Sequence, residues 1–185
     1  MGEAKKRKAE IAQIIERAKQ QRSELVKEFE AIGFKWKFEG TKEDAKKHGK
    51  FFTPPELAEQ MAVKFGRIDN VKSTLDPCCG YGNLLLMKML YDIRVNNLDP
   101  TTVFINTYGN DTSPDCLDVC KENFRKFAKY FNIDKQALKF VLESHFSCED
   151  ACTEKAYKGQ MHALSWMIAH RLPCAIVDGV FYMAA

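Results

Sequence analysis

The 185-residue chain is predicted to form a three-layer α/β fold, with helices on both faces of a mostly parallel sheet. Short apolar segments alternate with longer segments of helical periodicity, a glycine-containing turn follows the first of these short segments, and acidic residues follow the next two. Such alternation implies parallel strands joined by right-handed helical crossovers. The composition, 45% hydrophobic and 29% charged, is typical of one globular domain.

The chain begins with a predicted amphipathic helix over residues 4–31, which Gly33 ends. Neither Gly nor Pro interrupts it, and apolar residues recur at three- and four-residue steps: Ile11, Ile14, Ile15, Ala18, Leu25, Val26, Phe29 and Ile32. An isolated helix gains little from propensity alone, so we expect this stripe to pack on the domain or on a partner.

Positive charge is concentrated at this end of the chain. The first fifty residues hold 14 Lys and Arg against 9 Asp and Glu. We therefore divide the chain into a basic helical extension, residues 1–48, and a domain over residues 49–185. A basic arm suits contact with DNA phosphates, and it equally suits a helix whose charges only keep it solvated.

Two segments lead into the first strand. Residues 34–38 alternate aromatic and basic side chains, which is consistent with a short strand, a packed aromatic cluster or an exposed surface for stacking bases. Residues 49–56 form a predicted turn into a helix that Thr53 caps. Leu57, Met61 and Phe65 are predicted to supply an apolar face of that helix.

The remaining elements follow from periodicity. We predict strands at 72–75, 103–108, 140–143 and 174–177, and helices from Asn83, over 113–131 and over 161–170. A sheet that stops at the fourth strand leaves an unpaired edge, which a partner subunit or a second copy of the chain would cover.

The turn Asp76-Pro77-Cys78-Cys79-Gly80-Tyr81-Gly82-Asn83 lies where the first strand meets its helix. Ligands bind at this position in open α/β sheets, because glycines let the backbone approach closely and the helix start offers unpaired N–H groups. In isolation, two glycines here are equally consistent with a tight turn that binds nothing.

Acidic residues follow the second and third strands. Asp111, in Gly109-Asn110-Asp111, is positioned to accept hydrogen bonds from ribose hydroxyls, or it caps the helix that begins near Ser113. Asp150 follows the third strand and would meet a purine base, with an N-cap role as the alternative.

Two motifs resemble those of the adenine-N6 DNA methyltransferases, especially the modification subunits of type I restriction systems. Gly49-Lys50-Phe51-Phe52-Thr53-Pro54 resembles G-x-[FY]-[FY]-T-P, and Asp76-Pro77-Cys78-Cys79-Gly80-Tyr81-Gly82 resembles D-P-A-C-G-[ST]-G. Their order and spacing also match. The resemblance covers residues 45–155 and implies a class I methyltransferase-like, Rossmann-like fold, incomplete at the C-terminus, that uses S-adenosylmethionine.

The resemblance also implies roles for individual residues. Asp76 would meet the amino group of S-adenosylmethionine, Asp111 its ribose and Asp150 its adenine. The residues that would complete the cofactor site are Phe52, Thr53, Cys78, Gly80 and Gly82. Cys78 stands where the family usually has alanine, and Tyr81 is larger than the usual Ser or Thr.

The catalytic [DNS]-P-P-[YFW] tetrapeptide of the family has no match in the chain. The nearest segment is Asp178-Gly179-Val180-Phe181, in which Asp178 and Phe181 would be the catalytic candidates. Gly179 replaces a proline and loosens the loop, so a surface turn is the simpler interpretation.

Four functions remain open from the sequence. The chain is a cofactor-binding protein without a complete catalytic site, an active adenine DNA methyltransferase that works with a partner or as an oligomer, an enzyme that degrades S-adenosylmethionine, or a nucleic-acid-binding module. The seven cysteines match no common zinc signature, and no segment reaches the length of about 20 apolar residues that a membrane span requires. We expect no metal, no membrane contact and a cytoplasmic location.

Overall fold

The computed structural model describes residues 23–41, 43, 52–65 and 73–151, together with the backbone of residues 174–177 and 180–183. The helices in this part of the chain are α1 Glu24–Ile32, α2 Pro55–Phe65, α3 Asn83–Arg94, α4 Pro100–Ile105, α5 Pro114–Tyr130 and α6 Lys135–Ser144. The strands are β1 Thr74–Asp76, β2 Thr107–Asn110, β3 Phe146–Ser147, β4 Cys174–Val177 and β5 Val180–Met183. None of the described helices is both long and apolar enough to cross a membrane.

Strands β1, β2 and β3 form a parallel sheet in that order. Asp76 pairs with Gly109, which in turn pairs with Phe146, so the three carboxyl ends meet at one edge of the sheet. The prediction of a parallel sheet is confirmed, as are the end of the first strand at Asp76 and the start of a helix at Asn83.

Helix α3 is the centre of the molecule. It contacts α1, α2, α4, β1 and β2, and most of its side chains are buried. Even its charged pair is buried: Lys88 Nζ lies 2.6 Å from Asp92 Oδ1, one helical turn away. Helix α3 is therefore packed against three other helices and two strands of the described part of the chain.

Helix α1 corrects the prediction of one continuous helix over residues 4–31. Ser23 is extended, and its side chain accepts a hydrogen bond from Val26 N, so a helix begins at Glu24. Gly33 ends it in the left-handed conformation, as predicted. Val26 and Phe29 are buried in the core that surrounds α3, so this part of the apolar stripe packs on the domain itself.

Residues 34–38 do not form a strand. Phe34 is buried and meets Phe29 edge to face, with ring centroids 4.8 Å apart, while Trp36 packs against the same core. Of the alternatives open from the sequence, these two aromatic residues fit the packed cluster.

The predicted apolar face of α2, Leu57, Met61 and Phe65, is wrong for Leu57, while Met61 and Phe65 are half-buried. Ala58 and Ala62 are buried, whereas Leu57 is 48% exposed. The small alanine side chains let α2 approach α3 closely, and Leu57 then lies on the outer side.

The second and third predicted strands are displaced. Residues 103–105 belong to α4, because Asp99 caps that helix and Pro100 fits its first turn, and β2 begins only at Thr107. Residues 140–143 belong to α6, which Asp134 caps, and β3 begins at Phe146. In both places an N-cap outweighs the β propensity of an apolar run.

The fourth predicted strand forms at Cys174–Val177, but its neighbour β5 runs antiparallel to it. It forms an antiparallel hairpin with β5, in which Val177 pairs with Val180 and Ile176 with Phe181. The predicted helix over residues 161–170 lies outside the described residues.

Candidate functional site

The turn between β1 and α3 is built by its own backbone. Cys79 N donates to Asn110 O at 2.8 Å, which ties the turn to the end of β2, and Gly82 N donates to Cys79 O at 2.7 Å. Gly80 and Gly82 have φ angles of +53° and +83°, in the left-handed region that disfavours side chains. A Cβ at Gly82 would lie only 2.7 Å from Cys120 Sγ, so both conformation and space require glycine there.

Asp76 is the buried acid of the site. It ends β1, and its Oδ1 accepts a hydrogen bond of 3.0 Å from Cys78 N. Burial is the main cause that raises the pKa of its carboxyl to about 6, and the charge of Asp111 adds to this, while the Cys78 N–H opposes it. Asp76 is thus a buried carboxylate that a neighbouring cation would stabilise.

Asp111 braces the turn from the adjacent strand. Its Oδ2 accepts a 2.8 Å hydrogen bond from Gly80 N, and its Oδ1 accepts one of the same length from Ser113 N. The N-cap of α5 is Ser113, whose side chain accepts from Cys116 N, so Asp111 does not cap this helix. It instead joins the glycine turn to the start of α5.

The predicted residues of the first motif lie against the same turn. The ring of Phe52 stacks on Tyr81 with centroids 4.0 Å apart. A Cβ at Gly80 would lie 3.1 Å from the Phe52 ring, so this ring covers the glycine. Thr53 O accepts a 2.8 Å hydrogen bond from Asn83 Nδ2, which links this segment to the first residue of α3.

Three buried asparagines hold these segments together, and the sequence-based site did not include them. Asn83 Nδ2 donates to Thr53 O and to Trp36 O, both at 2.8 Å. Its Oδ1 is buried and has no hydrogen-bond partner among the described residues. Asn83 therefore fixes both incoming segments to the start of α3.

Asn110 and Asn123 likewise use their side-chain amides to join segments that are distant in sequence. Asn110 Nδ2 donates to Pro77 O and Glu149 O, each at 2.9 Å. Asn123 Nδ2 donates to Lys35 O at 2.8 Å and Tyr81 O at 2.9 Å. For Asn123 a signal was present, because it interrupts the apolar stripe of α5 between Cys120 and Phe127.

The remaining predicted residues are farther from the turn. Asp150 is exposed just after β3, beside Glu149, whose carbonyl Asn110 binds. The backbone of Phe181 belongs to β5, and Asp178 lies outside the described residues. The structure thus brings together most of the predicted set, namely Phe52, Thr53, Asp76, Cys78, Gly80, Gly82 and Asp111.

Adjacent cysteines in the turn differ in their surroundings. Cys78 is exposed, whereas Cys79 is buried. A hydrogen bond with the Cys120 thiol, together with burial, raises the pKa of Cys79 well above its usual range. Of the two, only Cys78 presents its thiol to solvent at the site.

One of three comparisons with known proteins found a match. The family model described as N-6 DNA methylase matches residues 37–153, which include the complete turn, Asp111 and the segment of Phe52 and Thr53. No curated protein and no solved structure matches the chain. Since the match spans more than half of the sequence and contains the turn between β1 and α3, the chain belongs to the N-6 DNA methylase family.

Proposed function

We propose that the chain binds S-adenosylmethionine at the turn between β1 and α3, in a class I methyltransferase-like domain. One observation carries this proposal. Asp76 and Asp111 end adjacent parallel strands, and the glycine turn spans them through the Gly80 N to Asp111 Oδ2 hydrogen bond. A buried carboxylate beside a second acid favours a ligand with a positively charged group.

The donors and acceptors of the site fit the cofactor. Among the described residues only Oδ1 of Asp76 is engaged by a hydrogen bond, which leaves Oδ2 for the ammonium of the methionine part. Asp111 would accept from the ribose hydroxyls, and Asp150 from the adenine amino group. The backbone at Gly80 and Gly82 allows close approach, and Phe52, Thr53 and Cys78 complete the surroundings. When bound, the cofactor supplies the methyl group.

We further propose that these 185 residues alone do not complete the methyl-transfer site. The family tetrapeptide is absent, and the strand pairing of Ile176 with Phe181 supports an aromatic residue held in a hairpin rather than in a loop beside the target base. The group that accepts hydrogen bonds from the target amino group would then come from outside these residues, for example from a partner subunit or a second copy.

The test is calorimetric titration of the purified chain with S-adenosylmethionine and S-adenosylhomocysteine. Asp76→Asn and Asp111→Asn preserve shape and remove charge. Each is expected to weaken binding roughly 10- to 100-fold, the usual worth of a hydrogen bond to a charged group. Asp118→Asn is the matched control. Asp118 is exposed on α5, and its replacement removes the same charge at a position away from the turn.

Thermal unfolding of every variant identifies those that fail to fold. Equal binding by the wild type and both site variants would contradict the assignment of these acids. A folded wild-type chain that binds neither compound would overturn the proposed function. Methylation of adenine in duplex DNA by the chain alone would contradict only the second part, the missing catalytic group.

A further inference from the structure

A basic groove lies between α5 and α6, apart from the turn. Its cavity has a volume of about 390 Å³. The residues that line this α5–α6 groove are Lys121, Arg125, Lys135, Leu138, Lys139, Leu142 and Glu143. The lining thus contains four cations, one carboxylate and two leucines.

The cations of the groove are spaced along two helices. Lys121 and Arg125 are one turn apart on α5, and Lys135 and Lys139 are one turn apart on α6, which gives a rise of about 6 Å within each pair. Arg125 forms an ion pair with Glu122, with 3.1 Å between Nη1 and Oε2. Lys121 Nζ lies 5.9 Å from the centre of the Phe146 ring. Within the described part of the chain, neither lysine of α6 pairs with a carboxylate.

We propose that the α5–α6 groove binds the phosphodiester backbone of DNA. Cations distributed along two helices match an extended polyanion better than a single phosphate, which would be held by converging donors. The choice of DNA over an acidic protein rests on the proposed function, because a member of the N-6 DNA methylase family is expected to contact the phosphates of duplex DNA. Contacts to phosphates carry no sequence information, so binding on this groove is expected to be independent of sequence.

The position of the groove suits this role. Helix α5 begins at the site, where its cap Ser113 is bonded to Asp111. Lys121 lies eight residues farther along the same helix, a rise of about 12 Å. Helix α6 also contacts β3, so a duplex held on the groove would lie at the β3 edge of the sheet.

The experiment measures binding of a fluorescent duplex oligonucleotide to the full chain, without cofactor, over a series of salt concentrations. Lys135→Gln with Lys139→Gln should weaken binding roughly three- to tenfold at moderate salt. It should also lower the slope of log affinity against log salt by about 2, since each phosphate contact contributes roughly 0.9. Glu143→Lys should strengthen binding by a similar factor.

The control is Lys64→Gln, compared with Lys139→Gln alone, because it removes the same charge from an exposed position on α2 that lies outside the groove and outside the basic extension. Unchanged binding by the groove variants, or an equal loss in this control, would overturn the proposal. Displacement of the duplex by polyglutamate of equal charge at the same concentration would also overturn it, in favour of an acidic protein partner. Calorimetry with S-adenosylmethionine tests the turn separately, so loss of one activity does not imply loss of the other.

Discussion

The buried negative charge of Asp76 destabilises the folded chain, and the same charge would stabilise a bound cationic ligand. Its pKa is raised from 3.8 to about 6, so the folded state binds a proton more readily than the unfolded state between these values. This residue therefore lowers the free energy of unfolding as the pH rises through 6, and it destabilises the chain most above that pH. A cationic ligand would reverse the effect by stabilising the ionised form.

Asp76→Asn is accordingly expected to stabilise the chain in the absence of cofactor. An asparagine keeps the acceptor for Cys78 N but carries no buried charge. The gain should be about 3 kcal/mol near neutral pH and should vanish below about pH 3, where the aspartate is protonated in both states. Urea unfolding of both proteins at several pH values measures it. A loss of stability near neutral pH would contradict the buried charge.

Gly82→Ala tests the conformation of the turn. Its φ of +83° costs an alanine about 1–2 kcal/mol, and the new Cβ would also meet Cys120 Sγ at 2.7 Å. The steric part, but not the backbone part, should be recovered by Cys120→Ala. A double-mutant cycle of unfolding free energies separates the two. Strict additivity of the two substitutions would mean that the thiol is not the obstacle.

The site residues with charge or special backbone conformation could be predicted from the sequence, whereas the asparagines that position them could not. Asp76, Gly80 and Asp111 follow apolar segments, so their place at the sheet edge follows from strand order. Asn83 acts through the carbonyls of Trp36 and Thr53, which are distant in sequence. Only the folded chain brings those partners together.

At the scale of the element, packing between α2 and α3 depends on small side chains. Ala58→Leu should cost about 1–3 kcal/mol, because the buried alanine leaves no room for a larger residue at this interface. Leu57→Ala, one position away, should cost less than about 1 kcal/mol because Leu57 is largely exposed. Thermal or urea unfolding compares them. The opposite order would restore the face predicted from periodicity.

The elements that were misassigned share one physical cause. Residues 103–105 and 140–143 are apolar or aromatic enough for strands, but each follows a capping aspartate, Asp99 or Asp134, that starts a helix. The cap lies several residues before the apolar run, outside the window in which β propensity is judged. Elements with longer patterns, α3 and α5, were predicted within one residue of their observed starts.

At the scale of the whole molecule, stability should respond to pH through His145 as well as Asp76. Burial lowers the pKa of His145, while a contact of 3.1 Å between its Nδ1 and Thr107 O opposes this. The unfolded chain therefore takes up the proton more readily, and the histidine contribution to stability is lost progressively as the pH falls below about 6.5 through the lower pKa of the folded state. The two residues thus act in opposite directions in mildly acidic solution.

This opposition predicts a specific profile. In Asp76→Asn, where the compensating acid is absent, stability should fall between about pH 7 and pH 5 more steeply than in the wild type. Adding His145→Gln should flatten that fall. Urea unfolding across this range measures all three proteins. Identical slopes in the wild type and Asp76→Asn would show that Asp76 does not titrate there.

The parallel order of the first three strands could be predicted because helices separate them along the chain. The antiparallel hairpin of β4 and β5 could not, since the sequence-based interpretation treated residues 178–181 as a possible catalytic loop. Their pairing depends on a second strand that follows after only two residues. Strand alternation alone does not reveal such a reversal.

The two neighbouring cysteines of the turn have a practical consequence. Cys78 is exposed and its backbone N–H is bonded to Asp76, while burial and the Cys120 thiol keep Cys79 protonated and shielded. A maleimide dye on Cys78 would sit within the turn, with the exposed Cys148 replaced by serine to remove one competing label. The native sequence thus provides an attachment point for an optical sensor, whose emission would follow ligand occupancy in real time.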